Sequence, residues 1–178
     1  MASLTIPHNY GPVLVVGLGV IPFVGAMHGI VAENFRPAAG VPYPHFYASM
    51  EQCEQNVRTL FPTANIERPR KLVGNQNPAN LAQPKAEQLN CAQRAHANYL
   101  ENMAQTMMYT LVAGLKWPRA TVTIGLTWVF WRLIFAHGYI YSGKPEGNGR
   151  LRGAPFWLCQ GALWAMSAGA IARNLMKF

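Results

Sequence analysis

From Tyr10 to Ala32 the chain reads YGPVLVVGLGVIPFVGAMHGIVA, without a single Lys, Arg, Asp or Glu. A helix of that length crosses the roughly 30 Å hydrocarbon core of a bilayer. Lipid offers backbone N–H and C=O groups no water to bond, so a segment buried in it must satisfy those groups internally, as a helix does. Residues 1–10 carry no Lys or Arg, and the apolar run exceeds the roughly 7–15 residues of a signal peptide's core, so the segment is expected to stay in the mature chain.

Composition agrees with a membrane solvent. The 178 residues are 51% hydrophobic and only 12% charged, about half the charge content of an ordinary soluble domain, roughly 25%. The length fits one domain, residues 1–178. All seven acidic residues are glutamates, so Ser-His-Asp triads, aspartyl-phosphate chemistry and EF-hand loops are excluded. Cys53, Cys91 and Cys159 show no C-x-x-C spacing, and an odd number closes no complete disulfide framework.

Three more apolar segments follow, at about 98–117, 121–141 and 154–172, so the chain is expected to be an all-α, integral-membrane four-helix bundle. The connection from about 34 to 88 differs in kind: it holds seven prolines and ten of the chain's 22 charged residues. Connections this long are uncommon unless functional or disordered. Ten Lys and Arg flank the spans on the side of the first and third loops against four on the other, which puts those loops in the cytoplasm, or the matrix of a mitochondrion. Gly25-xxx-Gly29 and Gly161-xxx-Ala165-xxx-Gly169 set small residues on helix faces where backbones can approach closely.

The informative residues are the polar ones that a membrane disfavours. Arg94, Asn98 and Glu101 stand at i, i+4 and i+7, one face of a helix that continues to Gln105. Arg132 sits between WVFW and LIF, with Tyr139 seven residues on. The two stripes are expected to face a common interior. A bland alternative pairs Glu101 with Arg132 as a purely structural ion pair. With Arg150 and Arg152 just before the last span, the set forms a cationic, hydrogen-bonding cluster suited to a small ligand bearing more than one carboxylate, because arginine forks bind carboxylates bidentately.

Two motifs, NC-x-QRAH-x-N-x-x-E (residues 90–101) and R-x-RGA (150–154), with Arg132 and Gly138-Tyr139 between them, resemble the membrane-associated proteins in eicosanoid and glutathione metabolism. Within that family they are most similar to the microsomal glutathione S-transferase 3 subgroup. The resemblance runs through all four spans and leaves out much of the first loop. It implies a homotrimer binding glutathione between adjacent subunits, with transferase or peroxidase activity on a lipophilic electrophile or lipid hydroperoxide. Arg94 would hold a glutathione carboxylate, with Asn98, Glu101 and Tyr139 as further polar contacts, and Arg36 and Arg132 would complete the binding set. Arg152 matches the arginine that stabilises the glutathione thiolate. The resemblance implies an endoplasmic reticulum membrane for this chain, with a mitochondrial membrane as the alternative. Two departures stand out: Arg36 is followed by Pro37 where relatives often have adjacent basic residues, and Phe135 stands where a tyrosine is common. They motivate a rival reading, a catalytically silent accessory subunit of a larger membrane complex such as a respiratory assembly. A transporter is disfavoured because no pair of broken helices occupies corresponding halves.

His96 and His137 lack the three or four convergent ligands of a metal site. The basic run Arg68-Pro69-Arg70-Lys71 reads as solvated loop, or as a contact to anionic lipid. Nucleic acid is not expected, because the cations flank membrane spans and form no aromatic platform.

Overall fold

A computed structural model describes residues 6–60 and 85–175; the Arg68–Lys71 run lies outside them. Among the described residues every regular element is a helix, and turns and loops connect them. Helix α1, Gly11–Ala39, and helix α4, Pro118–Tyr141, are each long and apolar enough to cross a membrane. Between them come α2, Met50–Leu60, and α3, Lys85–Gly114. A 3-10 stretch, Pro145–Gly153, leads into α5, Phe156–Leu175, whose apolar part, Phe156–Ile171, is shorter.

Helix α1 is not uniform. Val15–Val20 forms a π turn, in which the Ile21 N–H reaches back to the Val16 carbonyl. The irregularity lies just before Pro22, whose ring lacks an N–H and crowds the carbonyl four residues earlier. Gly40, at φ 66°, ends the helix in the left-handed conformation that glycine adopts without steric cost.

Residues 34–60 and 85–88 of the long polar connection are described. Ser49 and Gln52 form a reciprocal N-terminal cap for α2: the Gln52 N–H donates to Ser49 Oγ at 3.2 Å, and the Ser49 N–H donates to Gln52 Oε1 at 2.8 Å. Helix α3 starts at Lys85, well before the apolar segment that the sequence marks from about 98. Its 30 residues make a rod about 45 Å long, half as long again as the hydrocarbon core. The polar first turns can therefore stand outside the lipid.

The chain divides into two compact units, each assembled from separated segments. The first comprises residues 1–26, 99–132 and 154–178. Its core contains Val13, Ile21, Tyr99, Trp128, Phe156 and Leu163, all fully buried. Close approach is secured at Gly114, where a Cβ would collide with Val13. Buried Thr106 and Thr110 return their hydroxyls to the carbonyls of Asn102 and Thr106 at 2.8 Å, so neither side chain needs water.

The second unit comprises residues 27–98 and 133–153. Ala39, Val41, Ala48, Ala86 and Leu89 make one apolar cluster, with Phe35 and Cys53 packed against it. Asn90 fastens this layer through its side-chain amide, which accepts from the Ala48 N–H at 2.7 Å and donates to the Ala48 carbonyl at 3.1 Å. Ala32, Ala92 and Ile140 form a second cluster.

Large apolar side chains also point outward. Phe23, Phe130, Leu158 and Trp164 are each more than half exposed. Lipid solvates such side chains without penalty.

Candidate functional site

In the second unit the candidate site is built on three elements. Helix α3 carries Arg94 and Asn98, α4 carries Tyr139, and the 3-10 stretch carries Arg150 and Arg152. Glycine packing seats the 3-10 stretch on α4. A Cβ at Gly138 would run into the Gly149 carbonyl, and one at Gly153 would strike the Phe135 backbone. Gly147, at φ 65°, turns under the Tyr139 ring. Only chain without side chains at these points can lie so close to the helix.

That seating sets the arginines. The half-buried Arg150 places its guanidinium 5.2 Å from the centroid of the Tyr139 ring, within cation–π range. Arg152, two residues on, is exposed. Tyr139 also packs edge-on against Phe135 at 5.8 Å between centroids. Phe135 is buried and contributes a ring edge where a tyrosine would contribute a hydroxyl.

Along α3 the polar stripe lies on the outer face. Arg94 and Glu101 are exposed and Asn98 is half-buried, while Ala95, Tyr99, Asn102, Thr106 and Thr110 form the buried face. This corrects the expectation of two stripes sharing one interior. Arg132 does face inward: it is 1% exposed in the first unit, whereas Arg94 and Glu101 look outward. The physical reason is a phase offset along the helix. Tyr99 and Asn102 each follow an outward residue by one position, which is about 100° of rotation.

Arg132 is enclosed by aromatic rings. Its guanidinium lies 4.3 Å from the centroid of Phe156, 5.2 Å from Tyr99 and 5.6 Å from Trp128. It also feels the charge of Glu101. Tyr99 donates its hydroxyl to the Ile21 carbonyl at 2.7 Å. Beside the cage runs a side-chain chain that composition alone did not reveal: Trp128 Nε1 donates to Gln160 Oε1 at 3.2 Å, and Gln160 Nε2 donates to Asn102 Oδ1 at 3.2 Å. Gln105 Nε2 reaches the same Asn102 oxygen at 3.4 Å.

Arg36 is committed within the second unit. Its Nε and Nη2 form a fork on the Glu33 carboxylate at 2.8 and 3.1 Å, its Nη1 donates to the His45 carbonyl, and its guanidinium lies 4.4 Å from the Tyr43 ring centroid. Tyr43 donates its hydroxyl to Glu33 at 2.7 Å. That bond to a carboxylate holds the Tyr43 phenol above its ordinary value. Sequence reasoning passed over Glu33 and Tyr43; the i, i+3 spacing of Glu33 and Arg36 was the available signal.

Burial, reinforced by the neighbouring Glu87 charge, pushes the Cys91 thiol up to about 12, which leaves it a packing residue at neutral pH. His96 packs its ring against Gly29, where a Cβ would meet it at 3.3 Å. Among the described residues no group of three His, Cys, Asp or Glu could hold a metal ion.

No solved structure matches the chain. Two helices apolar enough to cross a bilayer are what the hydropathy of the sequence leads one to expect, whereas the seating of the arginine-bearing stretch on α4 was not foreseen. Residues 14–172 match the family model described as the MAPEG family, and the chain belongs to that family.

Proposed function

We propose that this integral membrane protein is a glutathione-dependent enzyme, assembled as a homotrimer of four-span subunits, that joins glutathione to lipophilic electrophiles or reduces lipid hydroperoxides with it. The observation that carries this reading is the outward face of α3. Arg94, Asn98 and Glu101 share it, and an arginine fork beside amide and carboxylate groups suits an anionic tripeptide, whose carboxylates and peptide groups it can bond.

In this reading Arg94 pairs with a glutathione carboxylate through its fork, and Asn98, Glu101 and Tyr139 bond the peptide's polar groups. Arg152, exposed on the 3-10 stretch, acts on the sulfur. A free thiol near pKa 8.5 is mostly protonated at neutral pH, and an adjacent cation shifts it toward the nucleophilic thiolate. Sulfur then bonds the electrophilic carbon while the leaving group departs with its electron pair. Arg36 and Arg132 act indirectly, the first by fixing the strap at residues 40–48 and the second by ordering the aromatic cage. The two motifs resemble the microsomal glutathione S-transferase 3 subgroup, and the endoplasmic reticulum is the proposed membrane, with a mitochondrial membrane as the alternative.

Arg152→Ala tests the mechanism. Turnover should fall at least tenfold while glutathione affinity changes little; unchanged turnover refutes the role given to Arg152. The full commitment of Arg36 to Glu33 and His45 favours a second reading, a silent accessory subunit of a larger complex. Purification at fixed stoichiometry with foreign subunits would establish it, and a self-sufficient homotrimer would refute it.

A further inference from the structure

Just past the end of α1 the chain turns a run of large apolar side chains outward. Tyr43, Phe46, Tyr47 and Met50 are 74, 66, 47 and 70% exposed. The backbone that carries them is firmly held. Arg36 donates to the His45 carbonyl, the Tyr43 hydroxyl donates to Glu33, and Asn90 bonds both the N–H and the C=O of Ala48. The inward positions of the same segment, Ala39, Val41 and Ala48, are buried. The outward set is therefore displayed by a fixed frame.

We propose that residues 43–50 lie in the headgroup zone of the same bilayer that α1 crosses, as an interfacial anchor. Helix geometry sets the depth. The 29 residues of α1 extend about 44 Å, equal to the roughly 40–45 Å of a bilayer with its headgroup regions included. Its last turn at Ala39 thus emerges at the membrane surface. Tyr43 follows within four residues, a reach of at most about 14 Å.

The chemistry matches that depth. Tyr presents an apolar ring and a polar tip, the combination favoured where lipid meets water. Phe46 and Met50 add apolar area, and the polar His45 and Ser49 that precede them in sequence are exposed as well. The amphipathic α2 follows directly, and its exposed Arg58 is suited to anionic headgroups. Continuity with the membrane-spanning helix distinguishes lipid from a protein partner as the occupant.

The test uses the full chain in phosphatidylcholine nanodiscs. Nitroxide labels are attached singly at Phe46→Cys, Met50→Cys and Arg58→Cys, with Cys53, Cys91 and Cys159 replaced by alanine and folding checked by circular dichroism. Collisions with oxygen, which concentrates in lipid, are compared with collisions with a water-soluble nickel chelate. The labels at 46 and 50 should show an oxygen-to-nickel ratio several-fold above that at 58. Preferential collision with nickel at 46 and 50 would place the loop in water and overturn the proposal. Shielding from both reagents would mean that protein covers the patch, and would overturn it equally. The unaltered chain gives an independent reading: a phosphatidylcholine with a photoactivatable group near its headgroup should crosslink within residues 41–58, and adducts confined to the membrane spans would contradict the assignment.

Discussion

The chain of Trp128, Gln160 and Asn102 makes a quantitative demand on stability. Gln160 and Asn102 are 5 and 4% exposed, so water cannot replace a lost partner. Asn102→Leu removes the acceptor shared by Gln160 and Gln105. Side-chain hydrogen bonds inside membrane proteins average about 0.6 kcal/mol each, and a buried amide left without a partner costs a further 1–3 kcal/mol or so. The sum is about 2–4 kcal/mol, roughly a 30- to 900-fold shift in the folding equilibrium. Gln160→Leu strands the Trp128 indole N–H and leaves Asn102 Oδ1 with Gln105 in place of two donors, at about 2 kcal/mol. The double variant strands only the indole, so the two changes should overlap by about 1–2 kcal/mol. Reversible unfolding in sodium dodecyl sulfate, followed by near-ultraviolet circular dichroism, measures all four corners of the cycle. Additivity within about 0.3 kcal/mol would show that the amides do not act as one network.

Three further outcomes follow from the second unit. Gly138→Ala forces the Gly149 carbonyl away from α4; overpacking of this kind costs about 1–3 kcal/mol, and turnover should fall with it because the displaced stretch carries Arg152, whereas wild-type turnover would show that the stretch need not sit on α4. The Tyr43 phenol, held up by its bond to Glu33, contributes stability in full below about pH 10, its unfolded value, and loses it as pH rises through the higher folded value. The tyrosinate absorbance of wild type minus Tyr43→Phe should accordingly titrate above pH 10, and a midpoint at or below 10 would contradict the bond. Cys91, with its thiol near 12, should resist alkylation at neutral pH in the folded protein and react once sodium dodecyl sulfate unfolds it; rapid reaction of the native protein, read by peptide mass, would deny its burial.

Much of the architecture was legible because membranes simplify the code. An uncharged run from Tyr10 to Ala32 has few alternatives to a helix, and the structure continues that helix to Ala39. The ends were less legible. Helix α3 begins at Lys85 because its first turns bury Ala86 and Leu89 against Ala39 and Val41, a tertiary cause that hydropathy cannot register. Periodicity put Arg94, Asn98 and Glu101 on one face, and that holds, but it could not decide whether the face turns in or out. Burial of Tyr99 and Asn102, one position along, decided it. The partners of Arg36, which the resemblance puts in the binding set, are not legible in the motifs because they arise from local folding: Glu33 one turn earlier and the His45 carbonyl nine residues later. The seating of Arg150 and Arg152 depends on Gly138 and Gly149 facing one another, which no spacing rule contains.

The most direct measurement of the central claim is calorimetric binding of glutathione to the detergent-purified protein, with Arg94→Ala as the comparison. The account predicts binding in the micromolar to millimolar range for wild type, weakened at least tenfold in the variant by loss of a carboxylate–arginine fork worth about 1.5–3 kcal/mol. Absence of binding by well-folded wild-type protein, or equal binding by Arg94→Ala, would contradict it.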